Sequence, residues 1–381
     1  MRIAAAILFL AFIARAEDES RDWVKKLADD NATIRKKAAE NLARLRPVPE
    51  GAVEALAKAV ADPDVGVRRA STKALGRIGD EARSAAAPLA HAVCDPDEEV
   101  RANAAEALGR IGPDAQSVLP DLMSALANES LDKAVRAAAA DAFGAIGASA
   151  KAGLPSLLAG LKDKEPVVRE HVAYAIGSMG KDASDAIPAL VAVLADEAKT
   201  VRAAAALSIG ALGPDAIRAV PDLGKALQDP EDSVRTAAAN GLARLGPDAG
   251  EAVAPLVEAL GDRSWQVRAA AATGLGAIGP DSADSIGSLA KLLKDKDNNV
   301  RVATINALEK LGPKVAGVVP ALVEALADAF PYLRTHAART LGKIGPPAKE
   351  AVPALEAMAK DLDEEARTAA REALEKIKKG E

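Results

Sequence analysis

The stretch Val100 to Gly112, VRANAAEALGRIG, decides the fold. Its apolar side chains Val100, Ala104, Leu108 and Ile111 recur at spacings of four, four and three, which places them on one face of a helix. Asp97 stands just ahead as a natural N-cap. Gly112 followed by Pro113 is a natural stop, because glycine accepts a positive φ and proline cannot continue the helix. The segment therefore predicts one helix between Asp97 and Gly112.

The same segment returns along nearly the whole chain. An Arg preceded by an apolar residue recurs as Arg35, Arg68, Arg101, Arg136, Arg169, Arg202, Arg235, Arg268, Arg301, Arg334 and Arg367. Every interval is 33 residues except Arg101 to Arg136, which is 35, with two extra residues between Asn128 and Lys133. The glycine stop recurs at Gly79, Gly147, Gly180, Gly213, Gly246, Gly279, Gly312 and Gly345, and gives way to Arg46 and Lys378 in the first and last units. A fixed period of this length marks a solenoid whose units bury their apolar faces against neighbours. Each unit carries a second helical run, such as Asp215 to Gln228, with Val220, Leu223 and Leu227 in helical register and Pro221 expected to bend or interrupt its first turns. Each unit thus reads as a helical hairpin, and no period-two alternation announces a sheet.

The pattern VR-x-x-A-A-x-A-L-G-x-I-G, with an Asp six residues before the Arg, resembles HEAT repeats, in particular the short bacterial class of the bilin-lyase subunits. The resemblance covers residues 17–381 and implies an all-α, right-handed α-solenoid of about eleven hairpins. Ankyrin and tetratricopeptide arrays have similar periods, but their signature residues are missing. The resemblance further implies a ladder of hydrogen bonds between Asp and Arg of successive units. The matching acids are Asp29, Asp62, Asp95, Asp163, Asp196, Asp229, Asp262, Asp295, Asp328 and Asp361. The fourth unit has Ser130 at that place beside its insertion, and the ladder is expected to loosen or bend there.

Composition narrows function. Lys plus Arg is 49 against 55 Asp plus Glu, a net charge of −6 over 381 residues, which makes nucleic acid a poor partner. One Cys and three His leave little for a disulfide framework or a metal site, and no cofactor is expected. Cys94 aligns with Ala61, Ala195 and Ala327 and reads as a small residue near a helix end. No G-x-S-x-G, P-loop or C-x-x-C-H is present. Residues 1–16 read as a secretory signal peptide: Arg2, an apolar run from Ile3 to Ile13, and small residues at Ala14 and Ala16, with cleavage after Ala16. That run is too short for a permanent membrane span. The expected product is exported, periplasmic or extracellular, and monomeric.

Solenoids bind through residues that break their own consensus. Trp23 and Phe143 fall at Leu positions and are expected in the core. Tyr174 takes an exposed place on the second helix of its unit where sister units carry Glu40, Lys73, Glu106 and Asp141, and Leu207 follows it one unit on. With His171 and Ser178 these residues form one candidate partner-binding patch. Trp265, Phe330 and Tyr332 fall in hairpin turns and form a second candidate ridge. The function expected is a non-enzymatic scaffold or adaptor outside the cytoplasm, holding a protein or peptide along the concave face that second helices line in HEAT-like arrays. The alternatives are an enzyme subunit of the bilin-lyase-like class and a purely structural spacer.

Overall fold

The computed structural model describes residues 21–379, so the expected signal segment lies outside the described residues. The chain divides into two compact units, Met1–Ala189 and Leu190–Glu381, each an all-α stack of hairpins. No strand occurs among the described residues.

Within a hairpin the second helix is the longer one, as in Val65–Ile78, Glu98–Ile111 and Lys133–Ile146 of the first unit and Asp232–Leu245, Trp265–Ile278 and Pro331–Ile344 of the second. Its start is capped by an acid in the helices that begin at Val65, Glu98 and Glu364, whereas Glu231, Ser264 and Phe330 make no side-chain cap bond. Asp97 accepts the Val100 N–H at 3.1 Å, and Asp64 and Asp363 cap the Val67 and Ala366 N–H groups in the same way. Its end is fixed by glycine: Gly112 has φ 69° and ψ −131°, a backbone conformation that a Cβ strongly disfavours. The chain then makes a short 3-10 turn, such as Gly112–Val118, before the first helix of the next hairpin.

Pro221 does not bend a helix. The run Asp215 to Gln228 is broken into a 3-10 turn, Pro214–Ala219, and a helix, Val220–Ala226, with Pro221 in the first turn of that helix. There the missing N–H would have had no intrahelical partner, so proline starts the helix instead of distorting it.

The core is aliphatic. Leu56 and Leu89 from first helices and Leu75 and Leu108 from second helices are fully buried in the first unit, as are Leu223, Leu256, Leu242 and Leu275 in the second. Each such side chain contributes about 1.5–3 kcal/mol. Small residues fill the second helices: Ala104, Ala107, Ala238 and Ala271 are buried, and a Cβ built on Gly76 would meet Ala107 at 3.4 Å. Phe143 is fully buried, as its register implies. Trp23 is only half-buried and is covered by Lys26, whose Nζ lies 4.5 Å from the ring centroid, so it is not the plug of the first unit's core.

Candidate functional site

The recurring Asp and Arg build the frame on which any site must sit. Arg235 shows the arrangement: Nε and Nη2 donate to Oδ2 and Oδ1 of Asp262, one repeat ahead, at 2.7 and 2.9 Å. Nη1 donates to the carbonyls of Asp229 and Pro230 at 2.8 and 3.1 Å, and Asp262 Oδ1 also accepts the Ser264 N–H at 2.7 Å. Arg35, Arg68, Arg136, Arg202, Arg268 and Arg334 grip Asp62, Asp95, Asp163, Asp229, Asp295 and Asp361 with the same fork. Arg301 reaches Asp328 more loosely, at 3.1 and 3.3 Å. Burial pushes the carboxyls of Asp62, Asp163, Asp229, Asp262 and Asp295 upward, but the guanidinium and the backbone N–H two residues on outweigh it and hold them below the ordinary range. This is a structural staple between hairpins, not an acid–base device.

The fourth hairpin interrupts the staple, though not at Ser130. Asn128 stands 27 residues after Arg101, the spacing of every other pair, and its Oδ1 accepts the Ser130 N–H at 3.1 Å as Asp95 Oδ1 accepts the Asp97 N–H. Asn128 is therefore the counterpart of the ladder Asp, and the two inserted residues follow it. Counting back from Arg136 misplaces the acid by the length of the insertion. Arg136 accordingly bonds the carbonyl of Leu131.

On the second-helix face of the second unit, departures from the consensus converge. Glu309 stands at a place filled in sister units by Gly76, Gly109, Gly276 and Gly342, and His336 at one filled by Ala204, Ala237 and Ala270. Their Oε2 and Nδ1 lie 2.6 Å apart, and Lys343 Nζ approaches the other Glu309 oxygen at 3.0 Å. Burial raises the Glu309 carboxyl, yet the His336 and Lys343 hydrogen bonds and charges hold it below its usual value, so it stays ionised. Tyr332 stacks on the His336 ring at 4.1 Å between centroids, and its hydroxyl lies 3.1 Å from Asn306 Oδ1. Phe330 extends the stack at 6.1 Å. Phe330 and Tyr332 are 40% and 38% exposed, which makes them a solvent-facing aromatic pair on a fixed polar base. Tyr332 borders a cavity of about 400 Å³ also lined by Thr273, Gly276, Asn306, Glu309, Lys310 and Lys343.

The other sequence candidates are distributed more loosely. Tyr174 is 42% exposed in the first unit, with Ser178 exposed one turn on and donating to the Tyr174 carbonyl at 3.0 Å. His171 is half-buried, and its Nδ1 lies 2.6 Å from Asp141 Oδ1; that hydrogen bond raises its pKa above 6.5 against the effect of burial. Leu207, in the second unit, is half-buried where the sequence pointed to exposure. Trp265 is the first residue of its helix, not part of the turn, and is 39% exposed with no aromatic ring stacked on it among the described residues. Phe330 is the N-cap of its helix and Tyr332 lies inside it. Cys94 is exposed, and its thiol is pushed up by partial burial, which disfavours the thiolate. Glu309, Asn306 and Lys343 escape a reading that follows only aromatics, although Glu309 in a column of glycines was the available signal.

Stacked hairpins with a repeating Arg–Asp staple define an α-solenoid. The chain belongs to the HEAT-repeat family: the family model described as HEAT repeats matches residues 20–93, 81–133, 119–210, 154–243, 187–263, 220–298, 253–327 and 286–375. No curated protein matches the sequence. Among solved structures it is similar to Kap121p bound to Ste12p, at 13% identity over 95% of this chain and 45% of that one, with a TM-score of 0.62. Importin beta in an ammonium sulfate condition gives 14% identity, 94% and 57% coverage and a TM-score of 0.61. The karyopherin Kap121p bound to the extreme C-terminus of the protein phosphatase Cdc14p gives 14%, 95% and 46%, and 0.60. The chain spans about half the length of these structures, and at such identities the likeness is one of fold.

Proposed function

We propose that the protein is a non-enzymatic scaffold that holds a protein or peptide partner on the second-helix face of its second unit. One observation carries this reading: the solvent-facing stack Phe330, Tyr332 and His336 held in place by Glu309, Lys343 and Asn306. Tyr is enriched among residues whose truncation costs an interface about 2 kcal/mol or more. A side chain already fixed by stacking and hydrogen bonds loses little freedom on binding, which favours association. The ionisable groups here are tied to one another, which suits a rigid contact surface better than proton transfer. Solenoids of the same fold supply the analogy, since Kap121p is described bound to Ste12p and to the extreme C-terminus of Cdc14p. Tyr174 supplies a further contact point in the first unit. Action outside the cytoplasm and a monomeric state complete the proposal, the first supported by the Arg2 to Ala16 segment. Affinity capture from the exported fraction, run in parallel with a Phe330→Ala, Tyr332→Ala double variant, tests it. A protein retained by the parent and lost from the variant supports the reading, and identical retained sets contradict it.

A further inference from the structure

Arg101 lacks the carboxylate that Arg35, Arg68, Arg136, Arg202, Arg235, Arg268 and Arg334 each grip one repeat ahead. It is 9% exposed, and Nη1 donates to the carbonyls of Asp95 and Pro96 at 2.9 and 3.0 Å, as in the other hairpins. Among the described residues, however, no carboxylate lies within ion-pair distance, and Nε and Nη2 make no hydrogen bond. The acids nearby in sequence are engaged elsewhere. Asp95 accepts from Arg68 Nε and Nη2 at 2.7 and 3.1 Å, Asp132 Oδ1 accepts the Ala134 N–H at 2.8 Å, and Glu129 lies 3.9 Å from Lys164.

The chemistry of Asn128 explains the gap. A guanidinium fork presents two parallel N–H groups and is matched by two acceptor oxygens. An amide offers one acceptor and one donor, so a fork-to-fork pairing would set N–H against N–H. The Asn128 oxygen is instead used by the backbone N–H and hydroxyl of Ser130, at 3.1 and 2.6 Å. The two carbonyls hold the guanidinium in place while its Nε and Nη2 edge keeps no protein acceptor, so an acceptor pair of matching geometry meets a pre-positioned fork.

We propose that the Nε and Nη2 edge of Arg101 is a binding site for a carboxylate supplied in trans. Its sisters define what fits: the Asp oxygens lie 2.7 to 3.1 Å from the corresponding nitrogens of Arg68, Arg136, Arg202, Arg235, Arg268 and Arg334. The acceptor is a free small carboxylic acid or the side chain of a partner's acidic residue, since both present the same planar pair of oxygens. The site lies wholly in the first unit and is independent of the aromatic face of the second.

The test follows the Arg101 Nε–H signal by NMR in the full, nitrogen-15-labelled chain, assigned with Arg101→Lys, while acetate replaces chloride at constant ionic strength. The account predicts a saturable shift of that signal, unmatched by those of Arg235 and Arg268. Asn128→Asp, which keeps Arg101 and restores the acid in cis, abolishes the response. Blocked aspartate, acetylated and amidated, separates the sources: saturation by both compounds admits a partner's side chain, and saturation by acetate alone restricts the site to a free acid. Absence of saturation with acetate, an equal response to chloride, or a response that survives Asn128→Asp would overturn the proposal.

Discussion

Gly153 is shaped by Phe143. A Cβ built on Gly153 would overlap Cε1 of the Phe143 ring, whereas sister turns end in Ala85, Ala186, Ala219 or Ala252 beside a second helix that carries Leu or Ile at that place. The ring enlarges one wall of the hairpin and the glycine withdraws the other. Gly153→Ala should therefore destabilise the protein by about 1–3 kcal/mol through overpacking. Phe143→Leu should restore tolerance, so that the double variant is more stable than the sum of the single changes predicts. Urea unfolding of the four proteins measures the coupling, and strict additivity would contradict it.

The Arg–Asp staple predicts an asymmetric mutational response. The side chains of Arg235 and Asp262 are 7% and 13% exposed. Asp262→Leu alone leaves a nearly buried guanidinium unpaired and should cost about 3–5 kcal/mol. Adding Arg235→Met removes the stranded charge and should recover part of that loss in the same unfolding assay.

Acid should weaken the staple. The ladder carboxyls ionise below the ordinary Asp value of 3.8, so their folded pKa is depressed relative to the unfolded chain. Their contribution is present above that value and is lost as pH falls through the folded pKa values. The unfolding temperature should change little from these groups between pH 8 and about pH 5, then drop below about pH 4. A profile in which the Asp262→Asn variant falls as steeply as the parent would remove the carboxylates as the cause.

His171 should titrate in the opposite sense. Its pKa is raised above 6.5 by Asp141, so the stabilisation it gives is complete below 6.5 and is lost as pH rises through the folded value. Histidine ring-proton NMR should show its midpoint above 6.5 and Asp141→Asn should lower it. An unchanged midpoint in that variant would refute the pairing.

The repeat was legible because eleven copies of one hairpin expose their shared constraints. Asp97 as cap and Gly112 as stop could be read from the chain because each answers a local backbone need. What was misread or left open depends on a neighbour. Pro221 reads as either a bend or an interruption, and only the preceding 3-10 turn selects the interruption and places it in a first turn. Ser130 looks like the missing ladder acid until the Asn128 hydrogen bond fixes the register. Leu207 shares a column with Tyr174 and yet is half-buried, because column position sets direction and adjacent side chains set exposure. The convergence of Tyr332, His336 and Glu309 joins two hairpins, and no single helix reveals it.

The most direct test of the scaffold account is the dissociation constant of a captured partner for the parent protein and for Tyr332→Ala. The aromatic face predicts at least about a tenfold weakening, equivalent to about 1.4 kcal/mol, with the fold unchanged. Equal affinity for the two proteins would contradict the claim that this face is where the protein binds.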